Sequence, residues 1–152
     1  MTSSRMRLSM EQLTCTFGSY TAVERLDLDI ATGEFVSLLG PSGCGKTTTL
    51  RMIAGFTPPT GGTIRLDGEV ISSPQWVLPP EKRQMSMIFQ SYAVWPNMTI
   101  GENVAFGLRL RKLDRDTVRK KVTEMLDVVR LGHLAERYPA ELSGGQQQRV
   151  AL

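Results

Sequence analysis

Cysteine is scarce, with Cys15 and Cys44 the two in 152 residues. Two thiols cannot build the disulfide framework of a small secreted domain, and the count fits a reducing, cytosolic setting. His133 is the one histidine and reads as a surface residue at a helix end. No apolar run approaches the ~20 residues of a membrane-spanning helix. The first ten residues carry Arg5 and Arg7 but no apolar stretch of the kind a secretory signal needs. The excess of positive charge is small: 18 Lys and Arg against 15 Asp and Glu, a net +3. That does not argue for a nucleic-acid partner. No repeat or low-complexity tract is present. At 41% hydrophobic and 22% charged residues, the composition is that of a globular domain and excludes disorder and coiled coil.

Periodicity supplies the first structural expectations. Met6, Leu8 and Met10 alternate with polar residues, as do Leu26, Leu28 and Ile30, so two half-buried strands are predicted. Residues 35–39 form an apolar run that suits a strand buried on both faces, and residues 85–89 read the same way. Residues 45–54 are helical in pattern, stopped by Gly55 and then Pro58 and Pro59. Thr63 to Leu66, the Asp67-Gly68 turn and Glu69 to Ile71 read as a hairpin. Residues 72–84, with Pro74, Pro79 and Pro80, read as loop. Helices follow. Thr99 and Glu102 have capping-box spacing. Val118, Val122, Met125, Leu126 and Val129 mark one helix face, with Asp114 as N-cap and Gly132 as the residue past the end. Arg109, Arg111, Lys112, Arg115, Arg119, Lys120 and Lys121 read as a solvated basic face.

Chemistry enters with Gly40-Pro41-Ser42-Gly43-Cys44-Gly45-Lys46-Thr47, which fits G-x-x-x-x-G-K-[ST] between a predicted strand and a predicted helix. Gly43 and Gly45 let the backbone curl so that successive N–H groups face a phosphate. The helix N-terminus favours anions. Lys46 brings a full charge to the β- and γ-phosphates, and the Thr47 hydroxyl can bind Mg²⁺. A chance match is expected in roughly half a percent of chains this long. With no histidine near it in sequence, Cys44 reads as a small loop residue rather than a catalytic thiol. A second motif, Leu142-Ser143-Gly144-Gly145-Gln146, sets a serine cap and two glycines at a helix start. It predicts a bare helix N-terminus and a second anion site.

Together the two motifs resemble the ATP-binding cassette ATPases, over essentially the whole chain. The resemblance implies an α/β fold: a P-loop NTPase core with an antiparallel β subdomain (residues 1–90) and a helical subdomain carrying the signature (residues 91–152). Phe89 and Gln90, ahead of Ser91 and Tyr92, look like the Q-loop. Phe17 matches the aromatic position that stacks on adenine, with Tyr20 the weaker candidate. Pro79 to Arg83 and Phe106 to Leu108 are similar to importer subunits of the maltose, polyamine and ferric-iron type. By the same resemblance ATP and Mg²⁺ are the ligands. Gly40 to Thr48 and Phe17 hold nucleotide in one subunit. Ser143, Gly144, Gly145 and Gln146 hold it from a second subunit in a head-to-tail dimer. Thr47 and Gln90 serve the metal, and Lys46, Gln90 and Ser143 serve catalysis.

Further partners follow from the resemblance. Tyr92 to Pro96 would lie near a transmembrane permease, a solute-binding protein would act indirectly, and no nucleic acid is involved. The place of work would be the cytoplasmic face of the inner membrane, as a peripheral subunit. The competing reading is a soluble, non-transport cassette ATPase of DNA repair or translation. A small-molecule P-loop kinase is disfavoured by the signature. The family also needs an apolar strand ending in Asp and followed by Glu. No such strand follows the phosphate loop, and neither the D-loop nor the switch histidine is found. The chain is therefore expected to be the N-terminal part of a longer subunit.

Overall fold

The computed structural model describes residues 6–152; the stretch that carries Arg5 lies outside them. The described chain forms two compact units, one ending at Met87 and the other spanning Ile88–Leu152.

The first unit is built on an antiparallel sheet of β1 (Met6–Phe17), β2 (Tyr20–Ala31), β3 (Gly61–Leu66) and β4 (Glu69–Ser72), in the order β2-β1-β3-β4. Both alternating segments and the 63–71 hairpin are present, but β1 and β2 run much further than alternation predicted. The reason is a change of parity. Leu8 and Met10 are buried, then Leu13 and Cys15. Between the pairs Gln12 takes a left-handed φ of 48° and the register with β2 shifts. A bulge of this kind swaps the faces of a strand and erases the period-2 signal. Side chains hold it in place: Asp27 accepts the Gln12 backbone N–H at 2.6 Å, and Thr14 Oγ1 accepts that of Arg25 at 3.1 Å. The core of this unit is Leu8, Met10, Leu13, Cys15, Val23, Met52, Ile64 and Ile71. Burial pushes the Cys15 thiol pKa up.

Helix α1 (Lys46–Ala54) ends as predicted. Gly55 is left-handed at φ 86°, its N–H donates to Met52 O and that of Phe56 donates to Arg51 O. This is the Schellman pattern.

Two expectations fail here. Residues 35–39 are not a strand, and Phe35 and Leu39 are 91% and 99% exposed. Residues 85–89 form no strand either. An apolar run becomes a strand only with ladder partners for its N–H and C=O groups. Among the described residues neither run pairs into a sheet.

The loop 72–84 contains a 3₁₀ turn, Pro80–Lys82, and then Arg83, which is 1% exposed. All five guanidinium N–H groups are used. Nε donates to Leu78 O (2.7 Å), Nη1 to Met52 O (3.1 Å) and Ile53 O (2.7 Å), and Nη2 to Ile71 O (3.0 Å) and Ser72 Oγ (2.6 Å). Arg83 thus satisfies carbonyls at the C-terminus of α1, where a helix leaves acceptors open, and ties them to β4. Burial holds its pKa below the usual value.

The second unit holds α2 (Ile100–Leu110), α3 (Arg115–Val128) and α4 (Gly144–Ala151), with two 3₁₀ turns between α3 and α4. Its core is Ile100, Leu126, Leu131 and Leu142. The predicted capping box closes α2: Thr99 Oγ1 accepts the Glu102 N–H at 3.2 Å and Glu102 returns the bond to Thr99 N–H at 2.9 Å. Asp114 caps α3 through the Thr117 N–H at 2.9 Å, and these hydrogen bonds lower its pKa.

Gly132 is not the residue past the end of α3. Arg130 takes the left-handed position at φ 58°. Its N–H donates to Asp127 O at 3.0 Å and that of Leu131 to Leu126 O at 2.7 Å. Burial of both Leu131 and Leu126 offsets the cost of a non-glycine residue there. On the expected helix face Val118 and Leu126 are buried and Val122 and Val129 pack on the core, whereas Met125 is half exposed. The basic cluster is exposed throughout, with Arg119 paired to Asp116 and Lys120 to Glu124.

Candidate functional site

The phosphate loop is positioned by the first unit. Gly43 and Gly45 are left-handed at φ 85° and 88°, which produces the expected curl into α1. Gly45 is needed twice over: a Cβ there would meet the Ala22 carbonyl of β2. Gly45→Ala should therefore lower unfolding free energy by about 2–4 kcal/mol, read as a lower denaturant midpoint. An unchanged midpoint would mean that the loop does not seat against β2.

Lys46 Nζ donates to the carbonyls of Gly40 and Pro41, both at 2.7 Å, and lies 3.3 Å from Cys44 Sγ. The ammonium is held within the loop by neutral acceptors, in the place where charged oxygens would bind it better. Cys44 is exposed and packs its Sγ close to the Gly40 backbone. Thr49 anchors the start of α1 by donating its hydroxyl to Gly45 O at 3.0 Å. The N–H groups at the start of α1, Lys46, Thr47 and Thr48 among them, have no acceptor within the helix.

Thr47 is exposed beside them. Its hydroxyl suits a Mg²⁺ that takes its other oxygens from phosphate and water. Among the described residues no group of three or more His, Cys, Asp or Glu comes together.

A cleft of about 430 Å³ opens at the loop, lined by Ala22 and Val23 of β2, Leu38, Leu39, Cys44 and Lys46 among others. A larger groove of about 800 Å³ lies between α2 and α3. It contains none of the phosphate-loop residues, so size does not locate the chemistry. Phe17 and Tyr20 stand at the β1–β2 turn, both more than half exposed, and the Tyr20 hydroxyl donates to Gly43 O at 2.9 Å. Tyr20, the weaker candidate for stacking on the base, is thus the aromatic residue bonded to the loop. No local pattern signals this bond, because it joins two segments 23 residues apart.

In the second unit Gln90 lies in an irregular segment, followed by two left-handed residues, Tyr92 (φ 64°) and Ala93 (φ 51°). Asn103 of α2 fixes the next stretch: its Oδ1 accepts Trp95 N–H at 2.7 Å and its Nδ2 donates to Trp95 O and Thr99 O at 3.1 and 2.9 Å. The Trp95 ring packs on Phe106 at 5.8 Å between centroids.

The start of α4 is less bare than predicted. Ser143 Oγ accepts the Gln146 N–H at 3.3 Å, and Gln146 Oε1 accepts that of Ser143 at 2.8 Å. This capping box engages the serine, while the N–H groups of Gly144 and Gly145 have no intrahelical acceptor. Gly144 lies against Tyr92, whose hydroxyl oxygen would be 3.1 Å from a Cβ there. The structure thus assembles Gly40 to Thr48 with Tyr20 and Phe17 in one unit. It assembles Tyr92 with the Ser143 to Gln146 turn in the other.

The chain is similar to known proteins along nearly all its length. The family model described as ABC transporter matches residues 23–152. The spermidine/putrescine import ATP-binding protein PotA of Thermobifida fusca is 54% identical over 149 residues, 95% of this chain and 38% of that protein. Its counterpart in Frankia alni is 56% identical over 131 residues, 86% of this chain and 27% of that protein. The chain therefore spans less than two fifths of the length of these curated relatives. Among solved structures, the ATP-binding cassette MJ0796, a post-hydrolysis dimer bound to ADP and Pi, superposes with a TM-score of 0.80 at 32% identity. The match covers 95% of this chain and 66% of that one. With its phosphate loop, its signature turn and this shared fold, the chain belongs to the ABC transporter family.

Proposed function

We propose that this chain is the nucleotide-binding part of an ATP-hydrolysing subunit that drives a membrane importer. The observation that carries the reading is the phosphate loop: two left-handed glycines and Lys46 gathered at the start of α1. A triphosphate offers Lys46 charged oxygens in place of the Gly40 and Pro41 carbonyls, and charge-assisted bonds are roughly twice as strong as neutral ones. The N–H groups of Gly43 and of Gly45 to Thr48 line the anion, and Phe17 receives the base. Thr47 would hold Mg²⁺, which would neutralise charge developing on the phosphates.

Ser143, Gly144 and Gly145 meet the γ-phosphate bound by a second copy in a head-to-tail dimer. Closure then depends on that phosphate, and its loss releases the clamp. Tyr92 to Pro96, held by Asn103, face the permease. The polyamine-import relatives favour transport over repair or translation and make polyamines the favoured cargo class, selected by the membrane partners. The subunit works peripherally at the cytoplasmic face, where ATP is found. Among the described residues no helix is long and apolar enough to cross a membrane.

The test uses the intact subunit. Ser143→Arg should spare ATP binding by the monomer and reduce turnover by about a hundredfold or more, as loss of a transition-state stabiliser does. Mixing it with Lys46→Ala subunits places both lesions in one composite site of a mixed dimer and leaves the other site intact. Activity should then partly return. Full turnover by Ser143→Arg alone would end the sandwich reading.

A further inference from the structure

The β1–β2 turn sets two aromatic residues directly opposite one another. Phe17 and Tyr20 are register partners, and opposed residues of an antiparallel pair project from the same face. Tyr20 has a second attachment, the bond from its hydroxyl to Gly43 O at 2.9 Å. The N–H of that same peptide unit, on Cys44, donates to Pro41 O at 3.4 Å. The C=O and N–H of a trans peptide are coplanar and point in opposite directions. One peptide plane in the middle of the phosphate loop is therefore held at both ends, by the loop on one side and by the hairpin tip on the other. At Gly43, with φ 85°, no side chain restrains the plane otherwise.

We infer that Tyr20 is a positioning residue that fixes the span between the Phe17 ring and the phosphate loop, so that one nucleotide is held by base and phosphates together. The inference rests on the reading of Phe17 as the base-stacking residue. A ligand gripped at two points gains from the second contact only when the span between them matches its own length. A hairpin tip released from Gly43 still offers its ring, but over a range of distances. The loss then falls on ligands that have both a base and a phosphate chain. A phosphate chain without a base does not report the span.

The experiment compares ATP with inorganic tripolyphosphate by calorimetric titration of the intact subunit. Tyr20→Phe keeps the ring and removes the donor. It should weaken ATP about fivefold, the factor given by a net hydrogen bond of ~1 kcal/mol, and change tripolyphosphate less than twofold. A merely structural role would weaken both ligands alike, and that result overturns the inference, as does unchanged ATP affinity. Phe17→Ala is the control on the underlying reading and should abolish the preference for ATP over tripolyphosphate. If Phe17→Ala keeps that preference, the stacking reading and the inference both fall. If Phe17→Ala abolishes it while Tyr20→Phe has no selective effect, only the inference falls.

Discussion

Lys46→Ala in the intact subunit is expected to lower ATP hydrolysis by about 10³-fold, the order found when one preorganised electrostatic donor is removed from a reacting centre. Nucleotide affinity should drop as well, by about 10- to 100-fold, because bonds to a charged group contribute ~1.5–3 kcal/mol. The fold should tolerate the change. Lys46 Nζ bonds to the carbonyls of Gly40 and Pro41, and both residues are exposed, so water replaces the ammonium. Phosphate release, binding of a fluorescent ATP analogue and a denaturant titration measured together separate these effects. Wild-type turnover in the variant would remove the assignment of the loop.

The largest effect on stability is expected at Arg83. Arg83→Met preserves much of the volume and removes every donor. The carbonyls of Met52, Ile53, Ile71 and Leu78 and the Ser72 hydroxyl then lose a partner in a site that excludes water. Each buried acceptor left open costs ~1–3 kcal/mol. Even with partial relaxation the loss should reach about 4 kcal/mol, a large share of the ~5–15 kcal/mol that holds a domain folded. Arg83→Lys should fall between, since an ammonium offers three donors without the planar fork. Urea unfolding of the intact subunit is the measurement. A loss under ~1 kcal/mol for Arg83→Met would show that those acceptors find other donors.

The two motifs were more legible in the sequence than the local architecture around them. The loop from Gly40 to Thr47 and the turn from Ser143 to Gln146 are contiguous, and each depends on residue types that few other structures require in that order. The caps at Thr99, Asp114 and Ser143 were readable for the same reason: a cap is decided within four residues. What escaped was decided at a distance. The bulge at Gln12 depends on Asp27 across the sheet. Arg83 is a charged residue in a proline-rich loop, and nothing near it in sequence announces its burial beneath α1. Residues 35–39 show the converse. Their composition announces burial, but whether such a run becomes a strand depends on neighbours that local pattern does not supply. Arg130 took the place expected of Gly132 because burial of Leu131 outweighed a backbone preference.

The bare run at 35–39 bears on how the protein can be handled. Its five residues, Phe-Val-Ser-Leu-Leu, carry no charge and no proline, the composition of segments that add onto one another between molecules. Covering such a run from within its own molecule is a first-order event, with a rate indifferent to concentration. Pairing it with the same run of another molecule is second-order. The two compete, and dilution favours only the first. The yield of soluble protein is thus a matter of order of reaction, settled by how many chains share the volume while this segment is uncovered.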